Sequence, residues 1–152
     1  MLSGIQTWDF DQLEDVHDFI QWLFPLPEPS PVNPAAPTLD RATIEEFRRR
    51  PDLQTAVLAS FKTMLAFYGF ELVGETPLKI RRAPNFAQRS DNWLSPNNHN
   101  HLRITRILRA LHLLGLEAYA QAFFDALSDV YKEKPTRITA TSYGFWQLAV
   151  SD

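Results

Sequence analysis

Apolar residues recur at helical spacing in several stretches of the chain, and one stretch is apolar on more than one side. Over Asn98 to Leu114, NHNHLRITRILRALHLL, a wheel of about 100° per residue gathers Ile104, Ile107, Leu108, Leu111 and Leu114 into one stripe. Leu102 and Leu113 fall nearly opposite, beside Arg106 and Arg109. An outer helix needs a single apolar stripe, so the pattern predicts a central helix, over about 99–114, with neighbours on both sides. Asn98 and Asn100 can offer side-chain oxygens to the unpaired N–H groups at its start, and Gly115 suits a left-handed stop. Buried guanidinium groups require acceptors or an anionic partner, which makes Arg103 and Arg106 the first candidate site.

The other periodic stretches supply the neighbours. Leu13, Val16, Ile20 and Leu23 predict a helix over about 9–24, with Asp11, Asp15, Asp18 and Trp22 on its other side. The run PLPEPSPVNPAAP that follows cannot continue a helix and reads as a stiff, polyproline-like strap; its PxxP spacings arise by chance in any proline-rich run. Asp40 or Thr43 caps a short helix with Ile44 and Phe47 as its buried pair, ended by Pro51. Asp52 is expected to cap the next, from about Leu53 to Tyr68, with Val57, Phe61, Met64, Leu65 and Tyr68 inward and Gly69 as its stop. Short apolar runs around Gly74, over 70–81, fit a small hairpin or an irregular loop. One or two helical turns follow within 86–94. A further long helix spans about 117–132, and a last short one, from Ser142, closes the core with Phe145, Trp146 and Leu148. The predicted class is all-α, a compact multi-helix bundle in one domain over 1–152.

Charge sharpens this picture. The net charge is only −3, but nine carboxylates face one arginine over residues 1–46, and seven basic residues face Asp91 alone over residues 79–112. An acidic first helix docked on the basic middle is the plainer meaning of that asymmetry. A basic face open to phosphate, nucleic acid or an acidic peptide is the sharper one. The 152 residues contain no cysteine, which excludes disulfides, thiolate metal sites and cysteine nucleophiles. No basic, apolar leader and no apolar run of about 20 residues occurs, so no membrane insertion is expected and a soluble cytoplasmic protein is the default.

Catalytic chemistry finds no foothold. No G-x-S-x-G or P-loop string is present, and the carboxylates of the first helix fit a solvated face better than an acid/base pair. His99 and His101 stand two apart, a spacing that does not put two ligands on one helix face, and no third ligand accompanies them. The string HNH only begins a helix. No cofactor and no metal are expected, and the chain is read as not an enzyme; the alternative, an uncharacterised enzyme, would need the basic middle to bind substrate and His17, Asp18 or His99 to move protons. Arginine outnumbers lysine in the basic middle, which suits fixed bidentate pairs better than a surface tracking a nucleic-acid backbone; nucleic acid therefore ranks behind a peptide, protein or anionic small molecule as partner.

Three strings, HDFIQWLFP at 17–25 followed by Asn33 and AAP at 35–37, SFKTMLAFYG at 60–69 and NHLRITRIL at 100–108, resemble the conserved N-terminal domain of the opioid growth factor receptor family. The resemblance runs over about 8–124 and implies an all-helical, non-enzymatic domain. In vertebrate members that domain belongs to a nucleus-associated receptor for the peptide Met-enkephalin. The short chain looks like a bacterial or fungal stand-alone version, so the domain is carried over and the ligand is not. The resulting expectation is a binding module of unknown ligand. A cleft beside the start of the central helix takes an anionic or peptide ligand through Arg103, Arg106, Arg82 and His99, with Trp22 as a wall. Arg103, at the edge of the apolar stripe, is better suited to structural pairing with Asp15, Asp18 or backbone carbonyls, and Arg106, further round, to the ligand.

Overall fold

The computed structural model describes Phe24, Leu26, residues 40–74 and residues 78–151. Apart from Phe24, the helix expected over 9–24 lies outside the described residues, as does the proline-rich strap apart from Leu26. Asp40 opens helix α1 (Arg41–Arg49) by accepting a hydrogen bond from Thr43 N at 2.7 Å, and that backbone bond is the main reason its carboxyl titrates below the usual range. Ile44 and Phe47 are half-buried against the core.

Pro51 then begins helix α2 (Pro51–Tyr68); its fixed φ and missing N–H cost nothing in a first helical turn. Asp52 does not act as the cap. It lies within that turn and pairs back to Arg50 at 2.7 Å. Gly69, at φ +93°, stops the helix, and a Cβ there would come within 3.0 Å of the Phe86 backbone.

Strands β1 (Phe70–Val73) and β2 (Lys79–Arg82) form an antiparallel hairpin in which Phe70 pairs with Arg82 and Leu72 with Ile80. Phe70 and Ile80 are buried in the core, whereas Arg81 and Arg82 are exposed. One short helix, α3 (Phe86–Ser90), leads to the loop before the central helix, α4 (Asn100–Leu113). Helix α5 (Glu117–Glu133) and helix α6 (Ala140–Ala149), capped by Thr139 Oγ1 on Ser142 N at 3.1 Å, complete the described elements.

The bundle is organised around α4. Ile104, Ile107, Leu108, Leu111 and Leu114 are all fully buried. Gln54 near the start of α2 donates to Leu114 O (3.2 Å), and Tyr68 at its end donates to Asn100 Oδ1 (3.4 Å), so the two ends of α2 reach opposite ends of α4. Phe61 of α2 meets the Phe123 ring of α5 edge-on at 5.5 Å, and α5 and α6 both pack on α4.

Two expectations about which residues face inward are corrected. In α6, Trp146 and Ala149 are buried while Phe145 and Leu148 stay 46% and 71% exposed; 146 and 149 turn toward the core, and 145 and 148 lie on the adjoining side of the helix. Leu102 is 67% exposed, so the second apolar side of α4 is left open at its first turn.

Candidate functional site

Asn100, His101 and Arg103, three buried polar residues, stand together at the start of α4. Trp93, fully buried, donates from Nε1 to Tyr68 O at 2.9 Å, and its own carbonyl lies 2.7 Å from His101 Nε2. One tryptophan thus joins the end of α2 to the first turn of α4. Asn98 stitches the intervening loop, donating to Asn92 O (2.9 Å) and Ser95 Oγ (3.0 Å) and accepting from Asn100 N (2.9 Å). Asn100 does not cap the helix as expected. It is fully buried, and its Oδ1 accepts from Tyr68 and from Arg103 Nη1 at 3.3 Å. Asn92, with its side-chain oxygen turned to Arg89, accepts from both Nη atoms at 3.2 and 2.9 Å, while Arg89 Nε donates to Phe67 O.

His101 is 2% exposed and stands edge-on to Trp93 and to Trp146, at 6.4 and 5.6 Å between ring centres. With Nε2–H donated to the Trp93 carbonyl, Nδ1 is left as the acceptor, and it has no hydrogen-bond partner among the described residues. Burial is the main influence that holds the imidazole below its ordinary pKa; the Trp93 bond opposes this and His99 adds to it. The ring is therefore neutral in the folded protein around pH 7. Trp146 Nε1 donates to the backbone carbonyl of the same residue at 3.0 Å, which fixes α6 against α4.

The five predicted site residues fall into different settings. Arg103 is 6% exposed and bonded to Asn100. Arg106, one turn on and half-buried, donates from Nε to Phe24 O at 2.8 Å. A backbone carbonyl is thus one of the acceptors the buried arginines were expected to find; Asp15 and Asp18, the other expected partners, lie outside the described residues. His99 is exposed just before α4 and makes no capping bond through its side chain. Arg82 is on β2, bonded to Glu133 at 2.6 Å and lying over the Phe86 ring at 4.9 Å; its hydrogen bond is the chief reason Glu133 titrates low. Trp22 lies outside the described residues. Arg103 and Arg106 are thus brought together by α4, and Arg82 belongs to a separate contact between the hairpin and α5.

Asn100 and His101 are the residues that periodicity alone passes over. Stepping back three and four places from the buried Ile104 lands on them, so their position on the buried stripe was the available signal. His99 and His101 do not converge with other ligands: among the described residues no group of three His, Cys, Asp or Glu could hold a metal ion.

The opioid growth factor receptor (OGFr) conserved region matches residues 3–150. The chain belongs to that family. It is 43% identical to the opioid growth factor receptor of Rattus norvegicus over 117 residues, covering 76% of this chain and 20% of the rat protein. With the Homo sapiens receptor it shares 42% over 117 residues, 76% of this chain and 17% of that one. Opioid growth factor receptor-like protein 1 of Mus musculus is 40% identical over 111 residues, 73% of this chain and 23% of that protein. The chain therefore spans about a fifth of the length of these relatives. No solved structure matches it. Within this opioid growth factor receptor domain, no described helix is long and apolar enough to cross a membrane.

Proposed function

We propose that this opioid growth factor receptor domain is a non-enzymatic recognition module. On this reading the Arg103–Arg106 turn of α4 takes an anionic ligand, an acidic peptide or small anion. The observation that carries the reading is the setting of Arg106. Its Nε–H bond to the Phe24 carbonyl orients the guanidinium of a half-buried arginine, and an oriented guanidinium suits a carboxylate or phosphate. The buried Arg103 adds positive charge one turn away. His99, exposed ahead of the same helix, is a second contact, and Arg82 joins only by exchanging Glu133 for the ligand. The names of the relatives, receptors for a growth factor, point to binding rather than catalysis.

The test is anisotropy of a fluorescent oligoglutamate peptide with wild type and Arg106→Ala at low salt. The expected result is saturable binding that the variant weakens about tenfold or more, near 1.4 kcal/mol, while Tm moves by only a few degrees. A wild type that ignores the peptide, together with a variant that melts much lower, would assign the arginine to structure alone. A clear preference for an oligonucleotide, with a steep salt slope, would move the reading to nucleic acid.

A further inference from the structure

Among the described residues His101 is the buried side chain that keeps a polar atom unbonded: Nδ1 has no partner, while Nε2 holds the Trp93 carbonyl at 2.7 Å. Folded proteins leave few such groups, and each calls for a reason. The ring stands edge-on to two indoles, and the two are gripped very differently. Trp93 is wedged among Tyr68, Phe70 and Phe86, at 5.9, 6.0 and 6.3 Å between ring centres, so that α2, β1 and α3 all hold it. Trp146 meets, among the described rings, His101 and Tyr143 of its own helix. Its helix buries only Trp146 and Ala149. The other tie of α6 lies at the rim of the bundle, where half-buried Tyr143 stacks on Tyr131 of α5 at 4.2 Å and shares a 2.9 Å hydrogen bond with Ser128 Oγ.

A proton on Nδ1 upsets this arrangement. The imidazolium needs an acceptor on both nitrogens, and the site supplies one, so a charge and an N–H are buried together without compensation. The surroundings do not relieve it. The α6 helix has no charged residue, and α2 offers the neutral Tyr68. On α4 the neighbours are Arg103 and His99, and His99 already opposes the charge. The one carboxylate of the segment over 91–99, Asp91, is exposed.

We infer that α6 is a latch released by acid: uptake of a proton by His101 frees α6 from α4, while α2, α4 and α5 stay packed on one another. The ring reaches water only when one of its indoles gives way, and Trp146 has less to hold it than Trp93. Local openings draw on elements with few buried apolar contacts, as α6 is. The remaining core does not need it, since Phe61 of α2 meets Phe123 of α5 at 5.5 Å beside the buried Ile104, Ile107 and Leu108 of α4. The device uses none of the arginines proposed to bind the anion and stands whether or not that reading holds.

Amide hydrogen exchange of the full chain at pH 7.5 and 5.5, corrected for the intrinsic pH dependence of exchange, tests this. At both values the α6 amides should open more readily than those of α2 and α5. The α6 opening constant should rise by up to about tenfold between pH 7.5 and 5.5, because a solvated imidazole titrates near 6.5 and the enclosed one resists the proton. His101→Gln keeps an N–H donor for the Trp93 carbonyl but does not titrate, so its α6 should open equally at the two pH values, with His17, His99 and His112 still present. Three results overturn the proposal: α6 amides that open only together with those of α2 and α5, an α6 opening that ignores pH, or the same pH response in His101→Gln as in the wild type. The first two are read on the wild type and decide even where the variant does not fold.

Discussion

The two ends of α4 are held by opposite kinds of chemistry. At its start the contacts are buried: the indole N–H groups of Trp93 and Trp146, the His101 ring, and the Asn100 amide between Tyr68 and Arg103. At its end they are wet. Arg48 reaches across from α1 to donate to Leu113 O at 3.0 Å and His112 O at 3.4 Å, and it pairs with Glu117. Gln54 reaches Leu114 O, and Gly115, at φ +89°, turns the chain where a Cβ would stand 2.8 Å from Gln54 Nε2. At the end of α4 these bonds satisfy carbonyls that would otherwise go unpaired, and at its start Asn98 Oδ1 does the same for Asn100 N. A buried polar contact is costly to break because the abandoned partner cannot turn to water, whereas an exposed one is replaced by solvent. The start of α4 should therefore govern stability, and its end should only adjust it.

The strongest way to break this contrast is Trp146→Ala. It empties a fully buried indole site and removes the indole N–H that His101 O accepts beside Thr105 Oγ1, and should cost about 3–5 kcal/mol by urea unfolding. Leu148→Ala, two residues along and facing water, should stay within about 0.5 kcal/mol. Equal losses from the two would show that α6 is not anchored through Trp146. The next effect is a dependence on pH. The folded imidazole of His101 sits below its ordinary value of 6.5. Above that value the ring is neutral in both states; as pH falls below it, the unfolded chain takes up a proton that the folded site resists. Stability therefore declines on acidification, by up to about 1.4 kcal/mol per pH unit, until the folded pKa is reached. Unfolding at pH 7.5 and 5.5 should show this decline, and His101→Phe should flatten it even though the variant is weaker overall. Identical slopes for the two proteins would remove His101 from the account, since His17, His99 and His112 are common to both.

Much of this contrast was legible along the chain, and the part that was not has a physical cause. The α4 stripe, the Gly69 and Gly115 stops and the inward side of α2 follow from local spacing, because a helix or turn is specified by residues a few places apart; the segment after α2 was left open between a hairpin and a loop. The membership in the opioid growth factor receptor family was legible in three long aromatic strings. The outward turn of Phe145 and Leu148 was not, because apolar letters alone do not say which of two adjacent helix faces the rest of the molecule covers. Nor were the partners of Asn100 and His101, since Tyr68, Trp93 and Trp146 come from three other segments. Arg106 was singled out from the wheel, but its bond to Phe24, 82 positions away, depends on the path of the chain and left no mark in local pattern.

The smallest expected effect lies at the far end of α4. Arg48 and Glu117 are 45% and 43% exposed at their side chains, so water screens their attraction and substitutes for it when one is removed. Arg48 also donates to the last carbonyls of α4, where positive charge suits the helix dipole. Arg48→Ala should therefore destabilise by about 0.5–1 kcal/mol, and a double-mutant cycle with Glu117→Gln should give a coupling of about 0.2–1 kcal/mol that shrinks as salt is raised. The part of the loss that survives high salt reports the two carbonyl bonds, which do not depend on Glu117. A loss from Arg48→Ala that approaches that of Trp146→Ala would mean that the wet end of α4 is as indispensable as the dry one, and the contrast between them would fall.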